Sequence, residues 1–272
     1  SFNVTNGVKQ GGILSPKLFN VYMNDLSVML TKAKIGCSIP KYFLNHLFYA
    51  DDLVLITTSA KGMQKLLNMC SDYVNRNNII FNPSKTVLML YETTKTIKLY
   101  NRPSVYLNDT RISYSNTHKY LGVIMSNTND NRDIKRQLRS YISKVNMLTQ
   151  MFGKCSNDVK IHLYNSYCTS MYCIQLWANH QKSCLERFKV VYNNGFRKLF
   201  KLDKRCSASG MFATNYVLSF YELLRKNIYN FIVRINSSNN VFINYFSSST
   251  VILQSPTWHY WYNCIYSFNV IL

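Results

Sequence analysis

Acidic residues are scarce in this chain of 272 residues: 12 Asp and Glu stand against 32 Lys and Arg, a formal charge of +20 with a pI near 9.6. That scarcity points to a polyanionic partner, most often nucleic acid, although a ribosome-associated or simply supercharged protein would share the balance. No stretch reaches the roughly 18 uninterrupted apolar residues of a membrane span, so no membrane partner is expected. The opening SFNVTNGVKQGG has neither a basic n-region nor an apolar h-region, which excludes a secretory signal there, and a first residue of Ser rather than Met suggests a chain cut from something longer. The eight cysteines form no CxxC pair, and a chain this long has no need of disulfide staples. A reducing, intracellular compartment fits best, cytoplasm or nucleus. Internal repeats and Gly/Pro-rich linkers are also missing. What is present is 47% apolar residues, enough for real cores.

The order Cys168, Cys173, His180, Cys184 invites comparison with a zinc knuckle. Its gaps of four, six and three residues fit no standard ligand spacing, and Tyr164, Tyr167, Met171 and Trp177 run through it. Buried thiols in a helix are the better expectation.

Ser15-Pro16 reads as an N-cap followed by proline at the first helical position, and Phe19, Tyr22, Met23, Leu26, Met29 and Leu30 then recur at helical spacing, predicting a helix over 16–31. Leu47–Ala50 and Leu53–Ile56 are short apolar runs around Asp51-Asp52, which predicts a hairpin with both acids at its turn. Ser59 is placed to cap a second helix striped by Met63, Leu66, Leu67, Cys70, Tyr73 and Val74, ended by the Asn-rich corner at 75–78. Strand candidates follow at 79–81, 87–90 and 120–125. This order is α+β.

From about 130 the pattern becomes helical, with Ile134, Leu138, Tyr141, Ile142, Val145 and Leu148 on one stripe. Arg132, Lys135, Arg136 and Arg139 line the neighbouring face, and Arg197, Lys198 and Lys201 lie on a later helix. Residues 131–205 hold 15 Lys and Arg against 4 Asp and Glu, over half of the excess charge. These faces are candidates for gripping a nucleic-acid backbone, or else solvated helix surfaces. Residues 235–272 carry no Lys, Arg, Asp or Glu, and the aromatics from Trp258 to Phe268 follow neither a helical nor an alternating period. Without basic flanks or interleaved cations, they suit neither an anchor nor a base-stacking surface. A poorly ordered tail not selected for folding is the expectation, against the alternative of an aromatic segment docked on the preceding helices.

Adjacent carboxylates beside Tyr49, Leu53 and Leu55 are costly to bury unless a cation sits against them. They are either solvent-exposed turn residues or, with a third carboxylate, a Mg²⁺ site. Upstream, Gly7 to Pro16 forms a glycine-containing loop that runs into a helix, where backbone can approach a nucleotide closely.

GVKQGGILSPKLF at 7–19 followed by YADDLVL at 49–55 resembles the paired polymerase motifs of reverse transcriptases, the second being the Tyr-x-Asp-Asp box. FNPSKT at 81–86 is similar to the family's Asn-x-x-Lys-Thr element, and YLGV at 120–123 to the Leu-Gly element that precedes the primer grip. LFNVYMNDL and CLERFKVVYNNGFRKLF resemble the enzymes of non-LTR (LINE-type) retrotransposons, although group II intron and retron enzymes share the first motifs. The resemblance extends to about residue 235.

It implies a partial polymerase palm of helices and antiparallel strands over 1–127, a mainly α-helical thumb over 128–234, and a tail over 235–272 on which it is silent. By the same resemblance Asp51 and Asp52 are the catalytic pair holding Mg²⁺ or Mn²⁺, and Lys85 lies near the leaving pyrophosphate. Gln10, Gly11 and Gly12 form the nucleotide and template pocket, Tyr49 and Ala50 line the primer terminus, and Leu121 and Gly122 lie on the primer side. The implied partners are an RNA template, a DNA primer and dNTPs. The remaining metal-binding aspartate of the family belongs to a motif expected amino-terminal to Ser1, and Asp25, Asp72 and Asp109 are poor substitutes. The chain alone is therefore expected to be inactive. The rival expectation is a non-catalytic remnant that binds RNA or RNA/DNA duplex.

Overall fold

The computed structural model describes residues 12–39, 42–91, 102–128 and 131–266. The chain forms two compact units, Ser1–Asn116 and Thr117–Leu272. It is a mixture of helices and small sheets, an α+β composition. No helix among the described residues is long and apolar enough to cross a membrane.

In the first unit, α1 (Ser15–Lys32) starts one residue earlier than the Ser-Pro signal suggests. Leu14 already has helical φ/ψ and is the N-cap, so Ser15 sits inside the first turn and does not cap it. Strands β1 (Cys37–Ile39) and β2 (Tyr42–Leu44) pair antiparallel, as do β3 (His46–Tyr49) and β4 (Asp52–Leu55). Helix α2 (Ala60–Arg76) is capped as expected: Gly62 N–H donates to Ser59 Oγ at 3.1 Å, satisfying one orphan amide. Met23, Leu26 and Leu30 of α1 interlock with Leu66, Cys70 and Tyr73 of α2, each buried leucine contributing roughly 1.5–3 kcal/mol. The Tyr73 hydroxyl donates to the Tyr22 carbonyl and the Tyr22 hydroxyl to the Asn77 carbonyl, tying the two helices at one end.

The strand expected at 79–81 does not form. Ile79 N–H closes back on the Val74 carbonyl at 3.1 Å, Ile80 is 92% exposed, and Phe81 turns into the core as an isolated side chain. Further on, β5 (Val87–Leu88) is shorter than the expected 87–90 strand. Residues β6 (Tyr106–Leu107) and β7 (Thr110–Arg111) form a hairpin, and β8 (Ser113–Tyr114) pairs with β5 in parallel, so the sheets are not wholly antiparallel.

The second unit opens with β9 (Thr117–Tyr120) and β10 (Val123–Ser126), an antiparallel hairpin in place of the single strand expected over 120–125. Leu121 and Gly122 both have positive φ, +45° and +81°, the conformation a two-residue hairpin loop demands. The hairpin packs with α3 (Arg132–Phe152), which moves the division between units ahead of the expected 127/128 boundary. Then follow α4 (Asn157–Tyr167), a 3₁₀ segment (Ile174–Asn179), α5 (Lys182–Phe200), α6 (Ala208–Thr214) and α7 (Phe220–Asn236). Leu185, Phe188, Tyr192, Phe196 and Leu199 form the buried stripe of α5, facing Tyr141 of α3 and Tyr164 of α4. The Tyr141 hydroxyl meets Tyr164 Oη at 2.9 Å and donates to the Tyr192 carbonyl at 2.8 Å, so both buried phenols are satisfied. Gly195 is required there, because a Cβ would collide with the Tyr141 hydroxyl.

The tail is the largest correction. Residues α8 (Val241–Ser248), α9 (Thr250–Leu253) and α10 (Pro256–Tyr266) are helical. Trp261 is 8% exposed, donates Nε1–H to the Gln175 carbonyl at 3.0 Å, and meets the Phe231 ring edge-on at 5.3 Å. The aromatics lacked a period because α10 is gripped from two sides, by α7 and by the 3₁₀ segment.

Candidate functional site

In the β3–β4 hairpin Tyr49 pairs with Asp52, leaving Ala50 and Asp51 as a two-residue loop. Ala50 opens it with φ +52°, a left-handed conformation that costs a residue with a Cβ about 1 kcal/mol. Strain of this kind concentrates at functional turns. Alternation along the strands sends Phe48, Leu53 and Leu55 into the α1/α2 core, while Tyr49 and Asp52 take the outer face. Asp51 and Asp52 are exposed, and Tyr49 is 62% exposed.

Beneath the hairpin lies a polar relay that periodicity did not reveal. Asn45, buried, donates Nδ2–H to the Leu30 carbonyl at 2.6 Å. Its Oδ1 is therefore the acceptor for His46 Nδ1–H at 2.7 Å, and His46 Nε2 accepts from the Ser27 hydroxyl at 2.8 Å. Burial lowers the His46 pKa, consistent with this neutral tautomer. Helix α1 and the carboxylate hairpin are thus joined by hydrogen bonds as well as by apolar packing. The only sequence signal was a run of polar residues, Asn45-His46, directly before an apolar strand.

Gln10 and Gly11 lie outside the described residues, while Gly12 accepts from Ser15 N–H at 3.2 Å where the loop enters α1. Lys85 is exposed on a turn organised by Asn82, whose Oδ1 accepts from Ser84 N–H at 3.1 Å and Ser84 Oγ–H at 2.6 Å. The Thr86 hydroxyl returns to the Asn82 carbonyl at 2.9 Å. Asn82 and Thr86 therefore hold the backbone that carries Lys85. Among the described residues no three His, Cys, Asp or Glu side chains gather to hold a metal. Asp51 and Asp52 supply hard, exposed oxygen donors suited to Mg²⁺ or Mn²⁺, but only part of the set such an ion takes.

In the second unit the expected basic faces divide by environment. Asp133, 2% exposed, accepts from Ile124 N–H at 3.2 Å, Trp177 Nε1–H at 3.2 Å and Arg136 Nη2–H at 2.6 Å. Arg136 spends the same nitrogen on the Gly122 carbonyl at 2.7 Å, so its guanidinium is built into the hairpin anchor. The Tyr172 hydroxyl donates to the Leu121 carbonyl at 2.9 Å, and its ring lies against Gly122, where an added Cβ would meet it at 3.0 Å. Arg132 donates to Thr117 Oγ1 at 3.0 Å. Arg197 donates twice to the Cys206 carbonyl, at 2.8 and 3.3 Å, bracing the chain before α6. Lys198 reaches Asn146 Oδ1 at 2.8 Å, and Lys201 ends α5 in a left-handed conformation. Lys135 and Arg139 project from the exposed face of α3. The bracing roles of Asp133, Tyr172 and Trp177 were not legible in the sequence because nothing in their spacing announces the hairpin they hold.

Residues 1–125 match a family model described as reverse transcriptase (RNA-dependent DNA polymerase). The chain is 25% identical, over 71% of its length, to the RNA-directed DNA polymerase from mobile element jockey of Drosophila funebris, of which it covers 22%. It is 27% identical over 70% of its length to the probable RNA-directed DNA polymerase from transposon X-element of Drosophila melanogaster, covering 21%. Against the Pol polyprotein from type-2 retrotransposable element R2DM of that fly, identity is 32% over 45% of this chain and 12% of the relative. The chain thus spans about a quarter or less of these curated relatives. Residues 1–125 thus match the reverse transcriptase family model, and the chain is similar to the RNA-directed DNA polymerases of LINE-type, non-LTR retrotransposons.

Proposed function

We propose that this chain is a palm-and-thumb portion of an RNA-directed DNA polymerase, with Asp51 and Asp52 as its catalytic carboxylates. The observation that carries this reading is the exposed Asp51-Asp52 pair where the two-residue Ala50-Asp51 turn, opened by a strained Ala50, enters β4, backed by a core and by the Ser27–His46–Asn45 relay. Asp51 and Asp52 would hold divalent metal together with a further carboxylate contributed from outside this chain. When bound, such an ion would supply charge neutralisation for the triphosphate and a lowered pKa for the primer 3′-hydroxyl. Tyr49 and Ala50 shape the floor under the primer terminus, and Gln10, Gly11 and Gly12 border the nucleotide. Lys85 stabilises charge on the departing pyrophosphate. Leu121 and Gly122 border the primer strand, while Lys135 and Arg139 meet backbone phosphates.

The test uses the full polypeptide that contains this chain. Asp51→Asn abolishes Mg²⁺-dependent primer extension while RNA binding stays within about threefold of wild type, whereas retained extension removes the assignment. Exposed Lys135 and Arg139 also favour a second reading, a nucleic-acid grip without catalysis. Under that reading the wild-type polypeptide binds template and primer but never extends.

A further inference from the structure

A cavity of about 420 Å³ in the helical unit lies between the end of α4, the loop after α6 and the flank of α7, at the lower end of the size range for small-ligand sites. Its lining is chemically one-sided. Leu223 supplies an apolar floor, Asn165, Thr169 and Asn227 supply amide and hydroxyl groups, Lys226 supplies a cation, and none of its described lining residues is acidic. Asn227 commits one Nδ2–H to the Leu223 carbonyl at 2.8 Å, which fixes the amide and leaves its Oδ1 and second N–H to offer.

Leu218, Asn230 and Tyr216 complete the lining, and Tyr216 is 95% exposed. So large an exposed ring gains nothing from core burial, yet its backbone is held firmly. Tyr216 has φ +52° and donates N–H to the Ala213 carbonyl at 3.1 Å, Val217 beside it is buried, and the Leu218 carbonyl accepts from the core Tyr192 hydroxyl at 3.0 Å. The ring therefore stands on a braced backbone beside hydrogen-bonding groups and a cation. An unpaired nucleotide presents the matching chemistry: a π-face to stack, a polar edge for amides, and a phosphate for a lysine.

We propose that this cavity takes one unpaired nucleotide of a single strand, its base stacked on Tyr216, its edge against Asn227, and its phosphate near Lys226. A base within a duplex is stacked on both faces and has no free face to offer. The site is independent of Asp51 and Asp52.

The experiment measures binding of fluorescent oligouridylate, oligothymidylate and an RNA/DNA duplex to the full chain. Tyr216→Ala is expected to weaken single-strand binding by about 5- to 150-fold, the span for one lost base stack, while Tyr216→Phe stays within twofold. Lys226→Gln is expected to lower the log-log salt slope by about 0.7. Duplex affinity should not change with Tyr216→Ala. Equal losses for RNA and DNA place recognition in the base, and a larger loss for RNA adds the 2′-hydroxyl. Ultraviolet crosslinking of a 4-thiouridine oligonucleotide to wild-type protein should label the peptide containing Tyr216. Single-strand affinity within twofold of wild type in Tyr216→Ala, an equal loss on duplex, or crosslinks confined to other peptides would each overturn the proposal. Asp51→Asn should bind these strands normally, so a failed polymerase assignment and a failed cavity assignment give different results.

Discussion

Arg136 Nη2 lies 2.7 Å from the carbonyl oxygen of Gly122 and 2.6 Å from Asp133 Oδ1, so one nitrogen joins a hairpin turn to a buried carboxylate. Without that arginine Asp133 keeps only the N–H donors of Ile124 and Trp177. Arg136→Ala is expected to cost about 3–5 kcal/mol, because breaking such a pair strands a buried charge. Urea denaturation provides the measurement, and a loss below about 1 kcal/mol would show that the pair is not structural.

The neighbours on α3 should behave oppositely. Lys135→Ala and Arg139→Ala are expected to leave stability within about 0.5 kcal/mol. Each should flatten the log-log salt dependence of duplex binding by about 0.7 to 0.9. An unchanged slope in the double variant would identify an ordinary solvated face.

Trp261 turns the tail into a stability element. Trp261→Ala is expected to cost about 3–5 kcal/mol through lost burial, and deletion from residue 240 onward should lower the melting temperature. Unchanged melting after that deletion would mean that α10 is not packed on α7 in solution.

His46 gives the fold a pH dependence of predictable sign. Burial lowers its folded pKa below 6.5, so the unfolded chain binds the proton more readily. Its contribution is fully present above pH 6.5 and is lost as pH falls through the lower folded value. Melting temperature should therefore fall more steeply between pH 7 and 5 in wild type than in His46→Gln. Parallel curves would show that the relay does not titrate.

Two thiols should resist chemistry. Burial pushes Cys70 and Cys168 up to about 12, the latter despite Lys144 nearby, so almost none of either is thiolate at pH 8. Mass spectrometry after iodoacetamide treatment of the folded chain should find both unmodified, and after denaturation both alkylated. Labelling in the folded state would contradict their burial.

Apolar period carried much of the architecture: the stripes read for α1, α2 and α3 supply most of their buried apolar residues, with Tyr22 and Ile142 left exposed, because a helix face is a local property of sequence. The hairpin around Asp51-Asp52 was visible from two short apolar runs interrupted by charge, although the turn itself is Ala50-Asp51 and Asp52 already belongs to β4. Long-range competition hid the rest. Tyr120–Met125 reads as one strand, but Tyr172 and Arg136, distant in sequence, fix the turn at Leu121 and Gly122. Charge counts likewise treated Arg136 and Arg197 as equivalent to Arg139. Only partners 14 and 9 residues away, the carbonyls of Gly122 and Cys206, show that these two guanidiniums serve the fold.

The contact between Gly195 and Tyr141 also restricts the order in which this core could change over generations. Any residue larger than glycine at 195 would strike the Tyr141 ring and hydroxyl unless position 141 had already shrunk. Shrinking position 141 first empties a buried volume, which costs about 3–5 kcal/mol when an aromatic is cut to alanine, and removes the hydrogen bonds to Tyr164 and the Tyr192 carbonyl. Each single step is disfavoured even where the double replacement is well packed. The two positions should therefore vary together or stay fixed, and α3 and α5 keep a shared ancestry that neither can leave alone.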